Sequence, residues 1–148
     1  MELIEANIIM YSIKHLFHID TSKEEVFKAL TTINGLSQWW TVQTSGNTEL
    51  EGVIEFRFGE RYFNKMKVET LIENKAVQWK CIDGADDWIN TITSFELDTN
   101  ENKTRLRFSH NNWPTHSDFF ASCSFSWARY LESLRQLLEK GKGQPFRL

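Results

Sequence analysis

Two histidines, His15 and His110, share the inward phase of alternating segments, and Tyr11 lies in the same phase as His15. An imidazole held in an apolar interior can act as a general base for proton transfer. A buried imidazole bonded to a backbone carbonyl would read the same way. An enzyme of cyclase or hydrolase type would need His15, His110 and Tyr11 to converge. The pattern assigns no catalytic residue. His110 ends its segment next to a loop, which makes it the better placed of the two histidines to touch a ligand. His110, His116 and Asp118 match no compact metal-ligand spacing, and Cys123 is not placed to complete a set. Asp83, Asp86 and Asp87 read as a solvated loop. There is no phosphate-gripping glycine loop and no nucleophile elbow, and no cofactor is called for. Cys81, on an inward phase, reads as inert packing.

The residues that stand out are rings. The chain carries 6 Trp, 11 Phe and 3 Tyr in 148 residues. That is more ring than a core of this size requires, and two arrangements account for it: a ring-packed solid core, or an aromatic-lined cavity. Strand phase and helix stripe nominate Trp40, Phe56, Phe58, Met66, Trp79, Phe95, Phe108, Phe120, Trp127 and Leu131 as the cavity wall, with His110 beside them. Such a wall would hold a small apolar or amphipathic molecule, and Trp N–H groups would orient its polar atoms.

These residues need elements to hold them. From Ser117 to Lys140 the spacing predicts one long helix, in which Phe120, Ser124, Trp127, Leu131, Leu134 and Leu138 form a stripe. Arg129, Glu132, Ser133, Arg135, Gln136 and Glu139 fall opposite. Ser117 is placed as N-cap, and Gly141 as the stop. The helix would run roughly 34 Å, about the length of a ten-residue strand, and needs a sheet to lie on. Phe125 falls on its polar side. It marks a surface for a protein partner or a second copy, or else belongs to an entry loop before a later helix start. The Trp113-Pro114 loop is the other hook for a protein partner.

The rest of the chain supplies the sheet. Residues 8–19 read as a strand with Ile9, Tyr11, Ile13, His15, Phe17 and Ile19 in phase. Thr21 with Glu24, or Ser22 with Glu25, offers a capping box for a short helix over Lys23–Thr31. Asn34-Gly35 reads as a turn before a second short helix, Leu36–Trp40. Six strands follow: Thr41–Ser45, Val53–Phe58, Tyr62–Ile72, Ala76–Ile82, Trp88–Leu97 and Thr104–His110. Turn-length links make them an antiparallel meander with one dry face for the final helix. Gly141–Pro145 reads as a flexible tail.

The totals fit one domain over 1–148. Net charge is −3 and no Lys/Arg run occurs, which argues against nucleic acid and anionic membrane as partners. The two cysteines, Cys81 and Cys123, form no CxxC, as suits free thiols in a reducing cytoplasm. The opening Met-Glu-Leu-Ile-Glu-Ala-Asn has neither a basic region nor a long apolar run, so no signal peptide and no membrane span are expected.

Five segments in this order and spacing carry a resemblance: Ser22–Thr31, Leu36–Trp40, Thr93–Leu97, Thr104–His110, and Trp127–Leu134 running on to Leu138–Pro145. Together they resemble the helix-grip fold of the START and birch-pollen-allergen (SRPBCC) superfamily. Within it, they are similar to the branch named for homologues of the activator of the heat-shock-protein-90 ATPase, specifically its C-terminal domain. The resemblance implies an α+β domain: a curved antiparallel sheet of about seven strands, two short helices and a long C-terminal helix. It also implies a deep cavity between sheet and helix. Members of this superfamily bind lipids, hormones or polyketides, a few are cyclases, and many have no assigned reaction. The name-giving members assist the chaperone and carry a separate N-terminal domain with no counterpart in this sequence. The chaperone role is therefore kept only as an alternative, and fold alone does not set function.

Overall fold

A computed structural model describes residues 9–148. The opening segment and the first residue of the predicted first strand lie outside the described residues. The elements are β1 (Tyr11–Ile19), α1 (Lys23–Thr31), α2 (Ile33–Trp39), β2 (Gln43–Gly46), β3 (Val53–Phe58), β4 (Tyr62–Ile72), β5 (Ala76–Asp83), β6 (Ile92–Asn100), β7 (Lys103–Trp113) and α3 (Asp118–Lys140). The seven strands make one antiparallel sheet in the order β1-β7-β6-β5-β4-β3-β2. The meander β2 to β7 is sequential, and β1 closes it by pairing with β7 (Ile13 opposite His110, Ile19 opposite Thr104).

Alternation sets the buried face. Ile54 and Phe56 on β3, Met66 and Val68 on β4, Val77, Trp79 and Cys81 on β5, Phe95 on β6 and Leu106 and Phe108 on β7 are all essentially inaccessible. Their strand neighbours Glu55, Lys67, Lys80, Glu96 and Arg107 face out. The predicted phase fails at Ile9, which precedes β1 and is exposed, and again at Ile72. Between Val68 and Thr70 the pairing with β5 shifts register, so Ile72 leaves the inward phase and is half exposed.

The caps settle the local choices. Ser22, not Thr21, caps α1 by accepting from Glu25 N (3.3 Å). Asn34-Gly35 does not form a turn. Thr32 caps α2 by accepting from Gly35 N (3.0 Å), and both residues sit in the first turn of that helix. A Cβ on Gly35 would lie 2.7 Å from Ala29 Cα, so the glycine lets α2 pack directly on α1. Trp39 secures that corner by donating its indole N–H to Ala29 O (2.9 Å).

The long helix begins where the sequence predicts, but Ser117 makes no side-chain cap bond. Gly141 takes the left-handed conformation (φ 83°) and ends it. Trp127, Leu131 and Leu134 are buried along the predicted stripe. Arg135 pairs with Glu132 and, at 3.2 Å, with Glu139 on the outer side.

Ser133 breaks the outer face: it is buried, and accepts from Gln144 N at 2.6 Å. The tail predicted to be flexible is therefore fastened. A Cβ on Gly143 would lie 2.4 Å from Gln38 O, so only glycine fits there. Beyond it Phe146 bridges to the chain after α2, with Phe146 N to Trp40 O at 2.8 Å and Val42 N to Phe146 O at 3.1 Å.

Candidate functional site

Where α3 crosses the open end of the sheet, an apolar cleft of about 310 Å³ remains between them. The β3–β4 hairpin contributes Phe58, Tyr62, Phe63 and Asn64 to it, and the β5–β6 loop contributes Ala85 and Trp88. The first half of α3 adds Phe119, Cys123, Ser126, Trp127 and Tyr130. Trp40, after α2, and Phe146, from the tail, complete the wall. Among the described residues no Asp, Glu, Lys, Arg or His lines it.

Trp127 is the centre of the wall. Its ring lies 4.8 Å from Trp40, 4.6 Å from Phe108 and 6.1 Å from Trp88, the last nearly parallel at 17°. Its orientation is fixed by a hydrogen bond: Nε1–H donates to His110 Nδ1 at 3.1 Å. An Nδ1 that accepts leaves the imidazole proton on Nε2, which stands 2.7 Å from Thr91 Oγ1. Thr91 in turn donates to Trp88 O at 2.5 Å. One chain of donors thus links helix, strand and loop. It fixes the Trp127 indole and the backbone at Trp88, whose ring stacks beside Trp127.

This arrangement determines what His110 can do. The ring is fully buried, with Trp88 and Trp113 edge-on at 4.6 and 4.9 Å. Burial pushes its pKa down to about 3. Both ring nitrogens are engaged, so no free lone pair remains to take a proton from a substrate. His110 is also not at a strand end, because β7 continues to Trp113, which is itself buried. The Trp113-Pro114 hook therefore offers no exposed indole.

Of the residues nominated from sequence, Trp40, Phe58 and Trp127 line the cleft together. Phe56, Met66, Trp79, Phe95, Phe108 and Leu131 form the buried layer behind, with Trp40 set 4.2 Å from Phe56 and Trp79 set 5.1 Å from Phe95. His110 sits behind Trp127. Phe120 packs away from the cleft against Trp113 (5.2 Å) and Tyr11 (6.5 Å). Tyr11 lies 4.3 Å from His116, while His15 stacks on Phe108 at 6.1 Å. Neither Tyr11, His15 nor His110 lines the cleft.

Ten of the thirteen lining residues are not among those nominated from sequence, and Trp88, Asn64 and Phe146 show why. Trp88 was placed in a strand, but β6 starts only at Ile92. The turn from Ala85 to Thr91, with Asn90 at φ 72°, swings the indole inward. Asn64 shares the parity of Met66 and Val68, and a lone amide in an otherwise apolar inward series was the available signal. Phe146 follows Pro145 in the tail and had no periodic signal. Cys123 also lines the cleft as a free thiol. Burial raises its pKa, with Trp88 N–H pulling the other way and Asp87 adding to the rise. Trp88 N–H is close enough to favour a thiolate there, yet makes no bond of proper geometry to the neutral thiol. Burial likewise raises the Tyr130 phenol. The thiol and this phenol are thus both neutral near pH 7.

A seven-stranded antiparallel sheet gripping one long C-terminal helix, with two short helices between β1 and β2, defines the helix-grip class. Residues 20–139 match the family described as Activator of Hsp90 ATPase homolog 1-like protein, and the chain belongs to that family. It is similar to the Aha1 protein of Colwellia psychrerythraea, solved in solution as a dimer. The two share 41% identity over 90% of this chain and 99% of that one, with a TM-score of 0.83. The fold also matches SSP2350 from Staphylococcus saprophyticus (18% identity, 91% and 97% covered, TM-score 0.76). A further match is CalU16 from Micromonospora echinospora (16%, 90% and 76%, TM-score 0.72). No curated protein matches the chain. Among the described residues no helix is long and apolar enough to cross a membrane.

Proposed function

We infer that this protein is a cytoplasmic carrier or receptor that encloses a small apolar or amphipathic molecule between sheet and helix. The observation that carries this reading is the uncharged cleft of about 310 Å³ walled by Trp40, Trp88 and Trp127. Its volume falls in the range of small-molecule sites, and ring faces supply area at low entropic cost. Burial at roughly 25 cal/mol per Å² of apolar surface is the driving term, reduced by the cost of association. A cyclase or hydrolase in the same cleft is disfavoured, because the sequence-nominated base His110 is buried, neutral and engaged at both nitrogens. The test is a titration with a neutral apolar probe, read by tryptophan fluorescence. Saturable quenching in the native protein, weakened in Trp127→Ala, supports the reading. A probe series without saturation defeats it.

A second feature favours self-association through the outer side of α3. Phe125 is 69% exposed on a helix that already begins at Asp118, so it is not part of an entry loop. No charge occurs from Phe119 to Ala128, and Ala121, Ser122 and Ala128 beside it are small and exposed. The Colwellia relative is a dimer. A second copy seated on this face would bury Phe125. Light scattering on the native protein and on Phe125→Asp tests it: a dimer that becomes a folded monomer is the expected outcome, and a native monomer contradicts it.

A further inference from the structure

The cleft is apolar but not featureless. Asn64 is 6% exposed, and its Oδ1 is buried without a hydrogen-bond partner. Trp88 Nε1–H is buried and likewise unpartnered. Both residues line the cleft, Asn64 from β4 and Trp88 from the β5–β6 loop, whose Gly84 packs on Asn64. Buried polar atoms of this kind are met by water or by a ligand's own polar group. A hydrocarbon guest would expel the water and leave them unmet, whereas a guest with its own donor and acceptor would not. Trp88 Nε1 can only donate, so the guest must carry an acceptor. The Asn64 amide offers the complementary acceptor, and its Nδ2 can serve if the amide turns over.

Charge narrows the class further. Among the described residues no cationic side chain lines the site to meet an anion, and Asp87 stands near Cys123 at its edge. A cation would meet aromatic faces but no lining carboxylate, and would confront the Trp88 N–H. Trp40 and Trp88 already touch Trp127, with centroids 4.8 and 6.1 Å from it, so a flat guest lies against the ring faces that line the cleft.

We propose that the cleft selects a neutral, flat, ring-containing molecule bearing a carboxamide or hydroxyl, whose polar group is read by Trp88 Nε1–H and the Asn64 side chain. This rests on the cleft being a ligand site.

The experiment uses the full chain and four probes of one shape: 2-naphthamide, 2-isopropylnaphthalene, 2-naphthoate and 2-naphthyltrimethylammonium. Binding is followed by amide and indole N–H resonances in two-dimensional NMR, with the Trp88 indole assigned through Trp88→Phe. The naphthamide should saturate, move the Trp88 indole proton downfield as it becomes hydrogen-bonded, and bind at least about tenfold tighter than any of the other three. Asn64→Leu and Trp88→Phe should each erase most of that preference while still binding the hydrocarbon. If no probe saturates, the ligand reading itself fails. If the hydrocarbon, the anion or the cation binds as well as the amide, or the Trp88 indole does not respond, the cleft takes guests but the polar selection is wrong.

Discussion

Replacing His110 with Gln keeps an acceptor for Trp127 Nε1–H and a donor for Thr91, but removes the ring that titrates. In the folded protein burial holds the His110 pKa near about 3, against an ordinary 6.5. The unfolded chain therefore binds more protons than the folded one between those values, and stability must rise with pH across that window. Acidification works in the opposite direction: protonating His110 would place an Nδ1–H against the indole N–H of Trp127, two donors at 3.1 Å. From pH about 6.5 to about 4.5 the linkage amounts to about 2 kcal/mol, near 1.4 kcal/mol per unit at the acid end. For a domain of this size that corresponds to a fall in Tm of about 5 to 10 °C. The assay is thermal unfolding by circular dichroism at half-unit steps, on the native protein and on His110→Gln. Subtracting the variant's profile removes the titration of every other group. Asp98, held low at about 2 by its Arg105 partner, titrates below the window. The native protein should lose stability more steeply than the variant over this range. Parallel profiles would refute the neutral, doubly bonded histidine and with it the fixed orientation of Trp127.

Other substitutions probe the remaining contacts. Trp127→Phe retains a ring but leaves His110 Nδ1 unpaired, and should cost about 1–3 kcal/mol in urea unfolding. Trp127→Ala should cost about 3–5 kcal/mol, because it also opens a cavity next to Phe108 and Trp40. Gly143→Ala puts a methyl group 2.4 Å from Gln38 O, so it should detach the tail and withdraw Phe146 from the cleft. Faster proteolysis after Lys140 or Lys142 would report this, and an unchanged digest would contradict it. Ser133→Ala removes the acceptor for Gln144 N and should lower stability by about 1 kcal/mol with the same loosening of the tail.

The sheet and the long helix were legible because their signals are periodic. Ile54, Phe56 and Phe58 alternate with charge on β3, and Trp127, Leu131 and Leu134 recur at helical spacing, so burial followed from parity. The cleft was legible only in part, since parity says which face is dry but not where side chains stop filling it. Phe56 and Trp79 share a phase with Phe58, yet only Phe58 reaches the end of the sheet where α3 leaves space. Trp88 and Phe146 arrive from a turn and a tail, whose courses are set by Asn90, Gly143 and Ser133 through tertiary contacts with no local period. The function of His110 depended on pairing with Trp127, a partner seventeen residues away on another element. Its inward phase favours a buried imidazole bonded to a backbone carbonyl over a base, and could not show that the partners are the side chains of Thr91 and Trp127.

The proposed function requires that the cleft lined by Trp40, Trp88 and Trp127 receive a guest. A crystal structure of the full chain grown with saturating 2-naphthamide tests this most directly. The bicyclic ring should lie in that cleft, against the Trp127 indole, with the His110 bond intact. A probe bound only elsewhere, or a cleft closed by its own side chains at saturating concentration, would contradict it.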